Sequence, residues 1–195
     1  IIDEAGAALQ MLSKPNRRSK VSKKDIESII CKLAKIPRIS VVGDEKDKLK
    51  NIKDNLLRMI YGQDEAVTKV SDAVLLSRSG LGHEDKPMAS FLFAGPTGVG
   101  KTELARQLAI NLGSHIERYD MSEFMEKHSV AKLLGAPPGY VGFEQGGLLT
   151  DAIKKHPHCI LLLDEIEKAH SDIYNILLQV MDHGSLTDSQ GRKTD

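Results

Sequence analysis

The stretch SFLFAGPTGVGKTELARQLAINL, residues 90–112, decides the fold. It begins with an apolar run typical of a buried strand, and from Lys101 its apolar residues recur at helical spacing. Between the two, GPTGVGKT matches the pattern GxxxxGK[ST], in which glycines let backbone N–H groups turn inward around phosphate oxygens. Because the match lies between a strand and a helix, it predicts a phosphate site rather than a plain glycine-rich turn. Lys101 would reach the terminal phosphates, and the Thr102 hydroxyl would bind Mg²⁺.

A second apolar run, CILLLDE at residues 159–165, supplies two carboxylates. A buried strand that ends in them would place them at the carboxyl edge of the sheet, where α/β folds bind ligands. Asp164 would then hold Mg²⁺, and Glu165 would orient and polarise the attacking water. Alone, this run would indicate only a strand end with solvated charges. Downstream of a phosphate loop, it predicts hydrolysis as well as binding.

Short apolar runs alternate with helical stretches after residue 60. We expect strands at 88–94, 116–119 and 159–163, and helices at 101–112, 122–134, 147–155 and 171–183. Alternation of this kind implies crossover connections and a mainly parallel sheet covered on both faces. The predicted fold class is therefore α/β, a three-layer αβα P-loop NTPase.

We expect residues 1–40 to form a short helical segment before this unit. One helix is expected over 1–12, and a second begins after Ser22, with Asp25 as its capping-box partner. Two short helices cannot enclose a core, so we expect a module boundary near residues 40–50, followed by a helix that ends near Ile60. The N-terminus has no start methionine, which is typical of a chain cut from a longer polypeptide.

Composition restricts the partners. With 27 basic and 27 acidic residues the formal net charge is zero, so no overall field attracts nucleic acid or an anionic membrane. The longest apolar runs, about six residues, are too short to span a bilayer. Cys31 and Cys159 make no CxxC pair, and His156 and His158 have no further ligand at metal spacing, so a plain helix-to-strand turn is expected there. We expect no nucleic acid, no membrane and a reducing cytosolic setting.

The segment LLGAPPGYVGFEQGG, residues 133–147, has a different chemistry. Its prolines and glycines disfavour regular structure and leave Tyr140 and Val141 as apolar side chains on a glycine-flanked loop. On residues alone, a tyrosine that packs back on its own domain and one that grips a partner both remain open.

Together, GPTGVGKT, GAPPGYVGFEQGG, LLLDEIEKAH, IYGQDEAV and LTDSQGRKTD resemble the second ATPase module of the Clp AAA+ unfoldases over nearly all of residues 50–195. The opening IIDEAGAALQ and KKDIESIICKLAKIP resemble the end of the preceding module's helical lid and the linker after it. The resemblance implies lid helices over 1–40, a linker over 41–55, and the large α/β subdomain of the second module, truncated at its C-terminus, over 56–195.

The resemblance also implies the roles of the site residues. ATP or ADP would contact Thr97, Gly98, Val99, Gly100, Lys101, Thr102, Glu103 and Asp164, with Ile60 and Tyr61 next to the adenine. Thr102 and Asp164 would bind Mg²⁺, and Lys101 and Glu165 would be catalytic. Gly139, Tyr140, Val141 and Gly142 would form the loop that grips substrate polypeptide in a central pore.

The activity that the resemblance implies is that of a motor. A homo-hexamer in the bacterial cytoplasm would hydrolyse ATP, unfold tagged or unfolded proteins and feed them to the ClpP peptidase. GLGHEDKP at residues 80–87 and the absence of a long inserted coiled coil favour the ClpA branch, with ClpB or ClpC as the alternative. A nucleotide-gated binding module is a rival of another class, and a nucleic-acid motor is disfavoured. The chain stops at Asp195, before the family's arginine finger and sensor residues, so residues 1–195 alone should bind nucleotide weakly and hydrolyse ATP negligibly.

Overall fold

The computed structural model describes residues 1–11, 20–34, 49–81, 86–135, 146–188 and 191–194. Within these ranges the helices are α1 (Ile2–Gln10), α2 (Lys23–Ala34), α3 (Ile52–Met59), α4 (Asp64–Leu76), α5 (Lys101–Leu112), α6 (Lys127–Leu134), α7 (Leu148–Lys155) and α8 (Ser171–His183). The strands are β1 (His115–Asp120), β2 (Cys159–Asp164), β3 (Leu186–Thr187) and β4 (Lys193–Thr194). Short turns of other helix types cover Ser77–Leu81, Met121–Phe124 and Ile166–Lys168.

The centre of the α/β unit is the parallel pair formed by β1 and β2. Their register places His115 opposite Cys159 and Asp120 opposite Asp164. Successive side chains of a strand point to opposite faces, so β2 serves two hydrophobic clusters. Ile160 packs against a cluster built from α3, α4 and α5. Its neighbour Leu161 packs against a cluster built mainly from α6, α7 and α8.

The two clusters form the core on either side of this pair. The first contains Ile52, Leu56, Ile60, Val67, Val70, Val74, Leu104, Leu108 and Leu112. The second contains Met121, Phe124, Val130, Leu133, Leu149, Ile173, Ile176 and Leu186. Helices therefore cover both faces of a parallel sheet, and the predicted α/β class with three αβα layers is confirmed.

Several elements begin and end where the sequence indicated. The bounds of α5 and α8 agree with the predicted 101–112 and 171–183. At the start of α2, the Asp25 carboxylate accepts hydrogen bonds from the Ser22 backbone N–H at 2.8 Å and from its hydroxyl at 2.6 Å. The first of these bonds satisfies the Ser22 backbone N–H, which has no hydrogen-bond partner within the helix itself.

The predicted strand at 88–94 is wrong for this structure. Among the residues that the structure describes, neither β1 nor β2 pairs with this segment. Leu92 is 80% exposed, while Phe91 and Phe93 stack with ring centroids 6.0 Å apart and Phe93 packs against the first cluster. An apolar run becomes a buried strand only where neighbouring strands accept its backbone hydrogen bonds, and the run alone does not specify those neighbours.

Two further differences have local causes. The helix expected at 122–134 starts late, because the Asp120 carboxylate accepts from the Ser122 N–H at 2.9 Å and fixes a 3₁₀ turn over Met121–Phe124 before α6. The helix α4 was not predicted. Its core contacts come from valines at 67, 70 and 74, a helical spacing of a residue type that favours strands. The hairpin of β3 and β4 was also missed.

The N-terminal helices pack through Ala5, Leu9 and Cys31, all of which are buried. Most of the predicted linker and the predicted boundary near residues 40–50 lie outside the described residues, so the division into modules stays a prediction. Within the described ranges, no helix is both long enough and apolar enough to cross a membrane.

A substitution at Gly147, at the start of α7, tests how closely this residue packs against α6. A Cβ at this position would lie 2.6 Å from the Leu133 carbonyl oxygen and would also meet the backbone of Leu134. Because backbone atoms cannot move aside easily, Gly147→Ala should lower the free energy of unfolding by about 1–3 kcal/mol in denaturant titrations.

The matched control is Gly6→Ala in α1, where a Cβ meets nothing within 4 Å. Alanine favours a helix interior by about 0.5–1 kcal/mol over glycine, so this variant should not be destabilised. If Gly147→Ala were as stable as Gly6→Ala, the close approach between α6 and Gly147 would be contradicted.

Candidate nucleotide site

The phosphate loop has the backbone conformation that its glycines predict. Gly98 has φ +84° and Gly100 has φ +98°, in the left-handed region that a side chain disfavours. Gly100 caps α5, and its carbonyl accepts the first intrahelical bond, from Leu104 N–H at 2.9 Å. The N–H groups of the first turn of α5 therefore point toward the loop, with the positive end of the helix dipole.

Lys101 is held at the start of this loop. Its ammonium donates to the carbonyl oxygens of Gly95 at 2.7 Å and Pro96 at 2.8 Å. A lysine ammonium has three donors, so these two bonds leave a third N–H for a phosphate oxygen. Lys101 therefore links the end of the loop back to its first two residues.

The structure brings Thr102 and Asp164 together, as the sequence predicted. The Thr102 hydroxyl oxygen lies 3.2 Å from Asp164 Oδ2 and 3.5 Å from Oδ1. The same Oδ2 accepts a hydrogen bond from Arg118 at 2.9 Å. The Asp164 side chain is 22% exposed, so its charge is partly shielded from water and has one hydroxyl and one guanidinium as partners.

Arg118 was missed by the sequence analysis. It lies opposite Leu162 in the register, and therefore on the same face as Asp164, two residues further along β2. The charged residues of HIERYD indicate a strand with a polar face, but they do not indicate a partner for Arg118. Only the pairing of β1 with β2 shows that this partner is Asp164.

A second carboxylate was also missed at the same edge. Asp120 ends β1 directly opposite Asp164. The Ser122 hydroxyl, at 2.6 Å, and the Ser122 backbone N–H both donate to it and hold the pKa of Asp120 below its ordinary value. Both neighbouring strands therefore end in an aspartate at the predicted ligand-binding edge.

Glu165 has an unusual backbone. Among the described residues, Glu165 is the one non-glycine residue with a left-handed conformation, at φ 53°. Its carboxylate accepts a hydrogen bond from Lys168 at 2.5 Å, and this bond raises the pKa of Lys168. Strain of this kind costs about 1–3 kcal/mol and concentrates at functional sites. Glu165 contacts Lys168, whereas Asp164 contacts Thr102 and Arg118, so the two carboxylates can take different roles.

Three further residues predicted to contact the nucleotide, Ile60, Tyr61 and Glu103, have different environments. Ile60 is buried in the first cluster, and its Cγ2 lies 4.0 Å from the position of a Cβ on Gly100, next to the loop. Tyr61 is 84% exposed. Glu103 accepts from Gln107 at 2.7 Å, one turn further along α5. The predicted pore residues Gly139, Tyr140, Val141 and Gly142 lie outside the described residues.

Residues 86–195, more than half of the chain, match the family model of the AAA domain (Cdc48 subfamily). The chain belongs to this AAA family. The family supports the P-loop NTPase fold and carries nucleotide binding with it, so the expectation that this chain takes a nucleotide is confirmed.

Individual relatives agree with this assignment. The chain is 55% identical over its whole length to the ClpA homolog protein of Fuscovulum blasticum. It is 54% identical over 90% of its length to the chaperone protein ClpB of Enterococcus faecalis, and 52% identical over 97% to the chaperone protein ClpB 2 of Synechocystis. The resemblance to Clp AAA+ proteins is confirmed. The chain spans 25%, 20% and 22% of the length of these relatives, respectively.

Removing the Lys101 ammonium should weaken nucleotide binding. Hydrogen bonds to charged groups are worth about 1.5–3 kcal/mol, so Lys101→Ala should lower the affinity for a fluorescent ATP analogue by about 10- to 100-fold. Equilibrium titration of the wild-type chain and the variant measures this change.

The control is Lys69→Ala on α4, where the lysine pairs with the exposed Glu65 at 2.7 Å. This variant keeps the same net charge as Lys101→Ala and should bind the analogue like the wild-type chain. Equal affinities in both variants would show that the loop does not hold the phosphates.

Proposed function

We propose that the chain is the ATP-binding and ATP-hydrolysing module of a ring-forming Clp protein unfoldase. The observation that carries the proposal is the contact between Thr102, at the start of α5, and Asp164, at the end of β2. This contact joins the phosphate loop to the carboxyl edge of the sheet, in a chain with ClpA and ClpB relatives.

The donor set fits Mg²⁺. Two neighbouring ligands of an octahedral ion with bonds of 2.0–2.1 Å lie about 2.9 Å apart. The Thr102 hydroxyl and Asp164 Oδ2 are 3.2 Å apart, so a small adjustment accommodates the ion directly or through a water. When bound, Mg²⁺ would neutralise charge on the phosphates. Arg118 neutralises Asp164 in the present arrangement, and a bound cation would compete with its guanidinium for Oδ2.

Glu165 is the proposed base for the attacking water. To act, its carboxylate must leave Lys168, and both side chains of that pair are about half exposed, at 45% and 49%. Exposed ion pairs contribute little to stability, so the release costs little. Lys101 would hold the terminal phosphate, while Glu165 accepts the proton of the water that attacks it.

The activity that we propose for the whole protein is supported by its relatives. We propose a homo-hexamer in the bacterial cytoplasm that unfolds tagged or unfolded proteins and passes them to the ClpP peptidase. The match to a ClpA homolog, which covers all of this chain and 25% of the relative, supports this choice. Identities of 52–54% to ClpB proteins support the alternative, a chaperone or disaggregase of the ClpB or ClpC type. Pull-down of the peptidase by the full-length protein separates the two.

Glu165→Gln tests the motor in the full-length protein. General base catalysis contributes about 10²–10⁴-fold, so steady-state ATP hydrolysis should fall at least about 100-fold while ATP still binds. Unfolding of a fluorescent substrate protein should stop with it. A nucleotide-gated binding module would instead keep its partner bound.

The matched control is Glu167→Gln, which removes an exposed carboxylate two residues away. It should hydrolyse ATP at the wild-type rate. Loss of hydrolysis in both variants, or in neither, would contradict the role of Glu165 as the base.

Tyr140 is proposed to grip the substrate polypeptide. Gly135 and Gly146, the described residues on either side of its segment, pair in an antiparallel bridge. Tyr140→Ala in the full-length protein should leave ATP binding intact and abolish translocation of a substrate. Tyr140→Phe keeps the ring and should retain translocation. Translocation by Tyr140→Ala at the wild-type rate would show that the tyrosine is not the grip.

A further inference from the structure

Three potential metal ligands meet at the amino end of the strand pair, away from the nucleotide site. They are His115, Glu117 and His156, and one ligand atom from each lies within 4.8 Å of the others. His115 Nε2 is 3.0 Å from Glu117 Oε1. The imidazole rings of His115 and His156 stack with centroids 4.0 Å apart and planes inclined by 23°.

The fold explains why these residues meet. His115 and Glu117 are two positions apart in β1 and therefore share a face. His156 ends α7, and the short turn after it leads into Cys159, which lies opposite His115 in the register. The same pairing that aligns the two strands thus brings the end of α7 to the start of β1.

The sequence analysis expected a plain helix-to-strand turn at His156, because no further ligand lay at metal spacing. That expectation considered only neighbours along the chain. The other two ligands come from β1 and reach His156 through the strand register. His158, two residues further on, is exposed and does not belong to this cluster.

We propose that His115, Glu117 and His156 form a binding site for a divalent transition-metal ion, with Zn²⁺ as the best fit. Two imidazoles and one carboxylate are a recurrent zinc ligand set, completed by a water in the fourth position. Magnesium and calcium prefer oxygen ligands, so the nucleotide's own cation does not compete for this cluster. The inference does not depend on the proposed function.

The geometry is close to what the ion requires. Donors of a tetrahedral zinc site with bonds of 2.0–2.1 Å lie about 3.3 Å apart. The His115 and Glu117 donors are already 3.0 Å apart. All three donors lie within 4.8 Å, so side-chain rotations suffice to close the site. The His115 side chain is 49% exposed and that of Glu117 20% exposed, which leaves a path for the ion and for a water ligand.

The site is separate from the nucleotide edge. His115 begins β1 and Asp120 ends it, and at about 3.3 Å per residue the two ends lie roughly 16 Å apart. A bound ion would fasten the end of α7 to β1. It should raise the thermal stability of the domain and leave nucleotide affinity unchanged.

The test uses the full chain, free of any affinity tag, with Zn²⁺ alone as the probe. Competition with a chromophoric chelator measures affinity and stoichiometry, and Co²⁺ reports the ligand geometry by its visible spectrum. We expect one Zn²⁺ per chain, a higher Tm with Zn²⁺ than with a chelator, and no displacement by Mg²⁺.

Two histidine variants separate this site from general histidine binding. His156→Asn should lose at least about tenfold in zinc affinity, since even residues that only orient ligands cost 10- to 100-fold. It should also lose the rise in Tm. His158→Asn is the matched control and should bind Zn²⁺ like the wild-type chain.

Glu117→Gln provides a second variant in case His156→Asn disturbs the fold. In each protein, unchanged binding of a nucleotide analogue verifies that the domain is folded. Equal zinc affinity in His156→Asn, Glu117→Gln and His158→Asn would overturn the proposal. So would a wild-type chain that binds no Zn²⁺ under these conditions.

Discussion

The parallel pairing of β1 with β2 is the constraint on which the described α/β unit depends. It aligns His115 with Cys159 at one end and Asp120 with Asp164 at the other. Side chains alternate between faces, so the pairing also decides which cluster each apolar residue of β2 enters. Ile160 joins the cluster of α3, α4 and α5, while Leu161 and Leu163 join the other. The two helical layers and the two edges of the sheet are therefore set by one register.

The electrostatics of the carboxyl edge follow from this register. Two aspartates on adjacent strands, which lie about 4.8 Å apart, would repel each other without compensation. Ser122 compensates Asp120, and Arg118 and Thr102 compensate Asp164. Lys101 and Glu165 likewise have protein partners, the loop carbonyls and Lys168. Each of these four charged groups of the proposed site therefore has a partner within the protein.

The sequence predicted those parts of the site whose signals are local. The spacing of GPTGVGKT, the apolar run before Asp164 and the apolar period of α5 each act within about a dozen residues, so one window of sequence contains the whole signal. The strand expected at 88–94 shows the limit of this reasoning. The segment is apolar, yet Leu92 is 80% exposed. A buried strand also needs neighbouring strands to accept its backbone hydrogen bonds, and no single window of sequence specifies those neighbours.

The residues that were missed share a cause. Arg118 meets Asp164 across 46 positions of sequence, and His115 meets His156 only through the register of β1 with β2. Valines at 67, 70 and 74 favour strands by their branched side chains, yet their helical spacing prevailed, since it lets all three enter the first cluster. Tertiary contact outweighed local preference in α4, and it alone created the pairings of Arg118 and His156.

The register also explains why the two edges cannot vary independently. A shift of β2 by one residue would turn Leu161 and Leu163 toward the first cluster and Ile160 and Leu162 toward the second, so that each would have to repack in a space shaped for another side chain. The same shift would move Asp164 away from Thr102 and Arg118, and Cys159 away from His115. Forcing side chains into a core space of the wrong shape costs about 1–3 kcal/mol, which exceeds the cost of breaking one exposed polar contact at either edge. The apolar residues between the edges thus hold the carboxylates of one edge and the histidines of the other in place.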